Sequence, residues 1–191
     1  MNFLGHLYLS GKNEKILCGN FIGDFVKGNK HNSYPHEIQQ GILLHRAIDA
    51  YTDNNKHWKA LRAQLKPVYG LYAGVVADLF IDHVLAANWN YFSETRLDWF
   101  AKWTYASLLH NYSYLPDRVK EFLPYLIQHR RLQSYASING IETSLKIMSL
   151  RTSLPDYTKK AIQLLQTDKA LIQNNSMAFL EEISIKFGKI D

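Results

Sequence analysis

Cysteine is nearly absent from the 191-residue chain, where Cys18 stands alone. One cysteine excludes an intramolecular disulfide, a Cys-rich structural zinc site and a CxxC redox centre. Cys18 lies among apolar residues with no basic neighbour, which suits a buried structural thiol better than a nucleophile. Proline occurs five times and glycine ten times, mostly at joints between helical patterns. Alternating apolar and polar runs are few. The one Asn-Gly pair, Asn139-Gly140, has helical patterns on both sides, so strand signals are weak. No long apolar run is present. The most apolar stretch, Leu71 to Ala87, is interrupted by Asp78, Asp82 and His83, whereas a bilayer span needs about 20 mostly apolar residues. The opening MNFLGHLYLSG has no basic n-region and no A-x-A site. That argues against a signal peptide and for a cytosolic protein. Basic residues are scattered without an RNP or helix-turn-helix signature, so neither nucleic acid nor a membrane is the expected partner.

What is present is apolar helix. Hydrophobic residues make up 47% of the chain and charged residues 20%. A chain of this length buries roughly 70% of its unfolded surface, so a core needs no covalent support. The expectation is an all-α, single-domain helical bundle over residues 1–191, with no internal repeat or linker. Periodicity predicts helices over 2–10, 14–25, 35–56, 57–65, 68–91, 94–110, 116–131, 138–150, 155–166 and 168–187. Pro35 and Pro116 open two of them and Pro67 stops another.

The acids and histidines sit where ionised groups are costly. In GILLHRAIDAYTD, His45 and Asp49 are four apart and share a helix face. Asp53 continues the stripe, beside Ile42, Leu43, Leu44 and Ile48. VVADLFIDHVLA repeats the pattern with Asp78, Asp82 and His83. His6 in NFLGHLYL and Asp24 in GNFIGDF are further candidates. Buried charges must be paired or bound to a cation, and Asp78 and Asp82 repel each other at this spacing. They need an arginine or a metal. His45 and Asp49 either satisfy each other locally or act as ligands; Asp24 either caps a helix or joins them. Helical bundles build metal sites from such side chains on facing helices. Mixed His and Asp donors suit Mn²⁺, Mg²⁺, Fe²⁺ or Zn²⁺. An ion there would lower the pKa of a bound water and stabilise charge on a phosphoryl oxygen, so the reaction class is phosphate-ester hydrolysis.

Four motifs, MNFLGHLYLS, GNFIGDFVKG, GILLHRAIDAYTD and ADLFIDHVLAANW, resemble the acyl carrier protein phosphodiesterase family in order and spacing. The second half is similar more loosely, through LPDRVKEFLPYL, Tyr135 and IMSLR ending at Arg151. The resemblance implies a bacterial, cytosolic, helical hydrolase, with a fold likened to the HD phosphohydrolases. It implies dependence on a divalent cation, Mn²⁺ or Mg²⁺. The reaction implied is hydrolysis of the phosphodiester of holo-acyl carrier protein, giving 4′-phosphopantetheine and the apo-protein. Asp82-His83 reverses the His-Asp order of the HD superfamily, so no ligand is assigned by that analogy. His45, Asp49, Asp78 and Asp82, with Asp24 or His83, are the implied ligands. His83 or His6 would protonate the leaving serine oxygen, with Asp24 also among the catalytic candidates. Arg46 and Lys27 would steady the phosphate.

Net charge is +5 with histidine neutral, split as +1 over residues 1–95 and +4 over 96–191. Acyl carrier proteins are strongly acidic, and opposite charge speeds encounter. Arg130, Arg131 and Arg151, with Arg118, are the candidate docking groups, although Arg130 and Arg131 also suit a helix C-terminus. Two other readings remain open: an HD-type nucleotide phosphohydrolase, and a non-catalytic helical module whose buried acids are structural. The sequence leaves the oligomeric state open.

Overall fold

The apolar periodicity is realised as helix from end to end. The computed structural model describes residues 1–188. In chain order the helices are α1 (Phe3–Tyr8), α2 (Glu14–Ile22), α3 (His36–Asn54), α4 (Lys56–Tyr69), α5 (Ala73–Ala87) and α6 (Trp89–Phe92). They continue as α7 (Leu97–His110), α8 (Asp117–Gln128), α9 (Arg131–Ser134), α10 (Ile138–Arg151), α11 (Thr158–Thr167) and α12 (Lys169–Phe187). Among the described residues there is no strand, as the sparse alternation predicts.

Local chemistry sets the boundaries. Asn13 caps α2 by accepting from the Lys15 and Ile16 N–H groups. Asn55 does the same for α4 with His57 and Trp58, and Ser137 for α10 with Gly140. Each side-chain oxygen satisfies an N–H group that the first helical turn leaves open. Pro35 and Pro116 immediately precede α3 and α8, where a missing N–H costs nothing.

Several expected boundaries differ, three of them for a visible local reason. Pro67 does not stop α4, which runs through it to Tyr69. Proline there forfeits one hydrogen bond in the last turn, and the chain reverses only at Gly70, with φ +53°, a region open to glycine. The expected 68–91 helix divides at Asn88, whose side chain turns back onto the Val84 carbonyl. The helix expected to reach residue 131 ends at Gln128. Arg130 then takes a left-handed conformation, φ 46°, and the short α9 begins.

The core is one continuous cluster. Its centre is α5, where Val76, Ala77, Leu79, Phe80, Ile81 and Leu85 are fully buried. Helices α1, α4, α10 and α12 pack around it. Lys56–Ala87 is long and apolar enough to cross a membrane by length and composition. Gly70 breaks it into α4 and α5, which fold back on one another. Trp58 and Trp89 are buried, whereas Trp99 is exposed. Cys18 is buried, and burial pushes its thiol up to about 12, so it is held as an inert thiol.

Helices α2 and α3 cross in close contact. A Cβ on Gly19 would overlap the Ile38 carbonyl oxygen, and one on Gly41 the Ile16 carbonyl oxygen. Backbone meets backbone there, and neither oxygen has a rotamer by which to move aside. Gly41→Ala should therefore cost about 3 kcal/mol of folding stability, the upper part of the usual range for overpacking. Urea denaturation measures it; a loss below about 0.5 kcal/mol would show that the crossing is loose.

Candidate metal centre

The α2–α3 crossing determines what faces α1. It sets Asn20 and Gly23 of the α2 end against His45 of α3. Gly23 has no side chain because the His45 ring occupies the space a Cβ would take. Helix α1 then lays His6 flat on His45, with ring centroids 4.0 Å apart and planes 18° from parallel. Both histidines are buried, at 4% and 5% exposure.

Asp49, one turn beyond His45, serves both rings. Its Oδ1 lies 3.2 Å from His6 Nε2 and its Oδ2 3.2 Å from His45 Nε2. Asp24 Oδ1 lies 3.4 Å from His45 Nε2. The other ring nitrogens face Asn20: His6 Nδ1 is 3.0 Å from its Oδ1, and His45 Nδ1 2.8 Å from its backbone oxygen. A cavity of about 70 Å³ opens on this group, walled by Met1, Asn2, Phe3, Phe21 and Asp24. Asp24 stands at its mouth with its side chain 68% exposed.

Electrostatics follows the geometry. Burial lowers the His45 imidazole pKa, but the Asp24 and Asp49 carboxylates more than offset this and hold it at about 9. Burial dominates at His6, whose pKa is lowered. Asp49 is pulled upward by burial, yet the two imidazoles take it well below the ordinary carboxylate range. Asp24 is lowered chiefly by His45.

Donor atoms of His6, His45 and Asp49 all lie within 4.8 Å of one another, a spacing at which one ion can be shared. His45 Nε2 is buried and has no hydrogen-bond partner in line, despite the two carboxylates beside it. Nitrogen and oxygen donors gathered this closely fit a divalent cation. Two imidazoles and a carboxylate suit borderline first-row ions, and carboxylate oxygen extends the range toward Mn²⁺ and Mg²⁺.

The remaining sequence candidates are directed elsewhere. Asp82 is fully buried; its Oδ2 accepts from the Leu4 N–H at 2.8 Å and its Oδ1 from the Gly5 N–H at 3.1 Å. Burial pushes its carboxyl up to about 7 against the pull of the Met1 ammonium and those two N–H groups. Asp78 Oδ1 accepts from Trp58 Nε1 at 2.7 Å and lies 3.2 Å from the Met1 nitrogen. These two acids anchor α1, and so place His6. His83 Nδ1 lies 2.7 Å from the Tyr135 carbonyl oxygen. Asp53 is exposed farther along α3.

Of the basic candidates, Lys27 is exposed three residues after Asp24. Arg46 donates to the Val26 and Gly28 carbonyls at 2.9 and 2.8 Å, tying the segment after Asp24 to α3. Arg130 pairs with Asp98. Arg131 is 9% exposed, donates to Ser144 Oγ and lies over the Tyr135 ring. Arg151 is exposed and stands 5.6 Å from the Tyr125 ring centre. Asn20 was not among the candidates. Its signal is a fully polar amide inside the apolar run ILCGNFI of α2, where it is completely buried.

The acyl carrier protein phosphodiesterase family model matches residues 1–183. The chain belongs to that family. The acyl carrier protein phosphodiesterase of Klebsiella pneumoniae (strain 342) is 33% identical over 168 residues, 87% of each chain. That of Enterobacter sp. (strain 638) is 29% identical over 187 residues, 97% of each chain. That of Yersinia pestis is 33% identical over 152 residues, 79% of each chain. No solved structure matches the chain. For an acyl carrier protein phosphodiesterase family member, the buried donors fall within the first three motifs that carry the resemblance.

Two measurements follow. Asp82→Ala leaves the buried Leu4 and Gly5 N–H groups without an acceptor and should cost about 2–4 kcal/mol in urea denaturation. A loss under about 0.5 kcal/mol would show that Asp82 does not anchor α1. The second concerns pH in the metal-free protein. The raised His45 pKa gives stability that is complete below its unfolded value near 6.5 and is lost as pH rises through 9. The thermal midpoint in chelator should fall from pH 6.5 to 9, and His45→Gln should flatten the fall. An unchanged slope in the variant would contradict the pairing.

Proposed function

We propose that this chain hydrolyses the phosphodiester joining 4′-phosphopantetheine to a serine of holo-acyl carrier protein, releasing the apo-protein. The observation that carries the reading is the orphaned His45 Nε2, buried beside His6 and Asp49 in a small cavity. Membership of the family gives that geometry its substrate. The competing reading as a structural module leaves such an arrangement without a purpose.

His6, His45 and Asp49 would hold a divalent cation, Mn²⁺ or Mg²⁺. Bound there, such an ion lowers the pKa of a water and offsets charge on the phosphoryl oxygens. The chain supplies the rest. Stacked, buried imidazoles fix the donors before substrate arrives, so little reorganisation is needed. The apolar wall of Phe3 and Phe21 limits water in the cavity. His6 Nε2 lies in the donor group and His83 faces Tyr135. Asp24 is then the side chain left at the opening to exchange a proton with the attacking water or the leaving oxygen.

The substrate is an acidic protein, so its docking face is basic. With Arg131 buried, Lys27, Arg118, Arg151 and Arg130, the last in an exposed pair with Asp98, are the exposed candidates. A soluble carrier-protein substrate supports a cytosolic reaction.

Mass spectrometry of holo-acyl carrier protein after incubation with this protein and Mn²⁺ is the test. The expected result is loss of the phosphopantetheine mass, abolished by chelator. Asp49→Ala should lower kcat/KM by more than the roughly 10–100-fold that losing a ligand's supporting hydrogen bond costs. An unmodified carrier protein, or hydrolysis of nucleotides in its place, would overturn the reading.

A further inference from the structure

Asn20 is fully buried, and every polar atom of its side chain is engaged. Its Nδ2 lies 2.8 Å from the His6 carbonyl oxygen and 2.8 Å from Ser10 Oγ. A carbonyl oxygen only accepts, so the NH₂ end of the amide must be on that side. Ser10 Oγ spends its own proton on the same His6 carbonyl, at 2.8 Å, and so accepts the second Asn20 N–H. The amide orientation is thereby determined by its partners. Its Oδ1, which only accepts, is left facing His6 Nδ1 at 3.0 Å. His6 Nδ1 must then carry the proton, and the lone pair of the neutral ring is on Nε2, toward Asp49.

The same residue does this twice. The Asn20 backbone oxygen accepts from His45 Nδ1 at 2.8 Å, with Oδ1 also within 3.2 Å. In the neutral form that ring too presents its lone pair at Nε2. One asparagine, through two different atoms, turns both imidazoles to the same side.

We infer that Asn20 is the positioning residue of the centre: it selects the Nδ1–H tautomer of His6 through its side chain and of His45 through its backbone, so that both Nε2 atoms face one ion. Its contribution is made before any ion arrives. Outer hydrogen bonds of this kind raise the basicity of the ring and fix its orientation. The inference goes beyond the identity of the ligands, and it rests on the metal reading only for its effect on affinity.

The two routes predict unequal responses. Asn20→Leu removes the side-chain acceptor and keeps the backbone one, so it frees His6 and leaves His45 held. Asn20→Asp keeps an acceptor toward His6. Both variants lose the N–H groups given to the His6 carbonyl and Ser10, so both lower the thermal midpoint. Long-range proton–nitrogen NMR of histidine-labelled protein reads the tautomers. Titration with an NMR-active cadmium isotope reads affinity and the coordinating nitrogen.

In metal-free wild type, neutral His6 should carry its proton on Nδ1. With cadmium, both histidines should show coupling at Nε2. Asn20→Leu should mix the His6 tautomers, weaken cadmium binding about 10–100-fold and leave the His45 pattern intact. Asn20→Asp should keep the His6 tautomer and bind cadmium at least as tightly as within threefold of wild type. Equal loss of affinity in both variants, or no loss in Asn20→Leu, would overturn the inference. So would an Nε2–H proton on His6 in the wild type, a result that needs no variant to fold. Failure of wild type to bind cadmium, with His6 still protonated on Nδ1, would sink the metal reading and not the tautomer selection.

Discussion

The candidate site depends on one carboxylate shared by two stacked, buried imidazoles. Asp49 sits 3.2 Å from the Nε2 atom of each. Such an arrangement is unfavourable unless a positive charge lies among the donors, because two nitrogen lone pairs would otherwise face an anion. Without an ion, the protein meets that requirement by holding a proton on His45 to about pH 9. A divalent cation shared by the same donors would meet that requirement in the proton's place.

The scaffold brings those groups together from α1 and α3, with Asn20 supplied by α2. The glycine-on-glycine contact of α2 and α3 lets the two backbones approach closely enough for Asn20 to reach both rings. Asp82 receives the first N–H groups of α1 from within the most buried helix of the core, and Asp78 lies beside Met1. A helix as short as α1 is not stable alone; those acids and its apolar contacts hold it, and with it His6. The two kinds of aspartate therefore differ in task though not in sequence appearance. Asp24 and Asp49 face imidazoles, whereas Asp82 receives backbone N–H groups and Asp78 the Trp58 indole and the Met1 nitrogen.

That similarity explains what the sequence could and could not disclose. Helical class, most helix starts and the His45–Asp49 pair were legible, because apolar periodicity and i, i+4 spacing are local signals. Asp78 and Asp82 have the same spacing and the same apolar setting, but Asp82 accepts from N–H groups almost eighty residues earlier in the chain, and Asp78 from the Trp58 indole beside the Met1 nitrogen. No local rule reveals that. Pro67 read as a stop because proline usually ends a helix, whereas the reversal depended on the φ of Gly70. Arg131 read as a surface charge and is instead held inside by Ser144 and Tyr135. Asn20 passed unnoticed because an asparagine in an apolar run has many uses, and only the third dimension shows two histidines on it.

The most direct measurement is anomalous diffraction from a crystal of the protein grown with Mn²⁺. The account predicts a single strong peak between His6 Nε2, His45 Nε2 and the Asp49 carboxylate, with Asp24 adjoining it. Absence of a peak there, or a peak at Asp78 and Asp82 in its place, would contradict it.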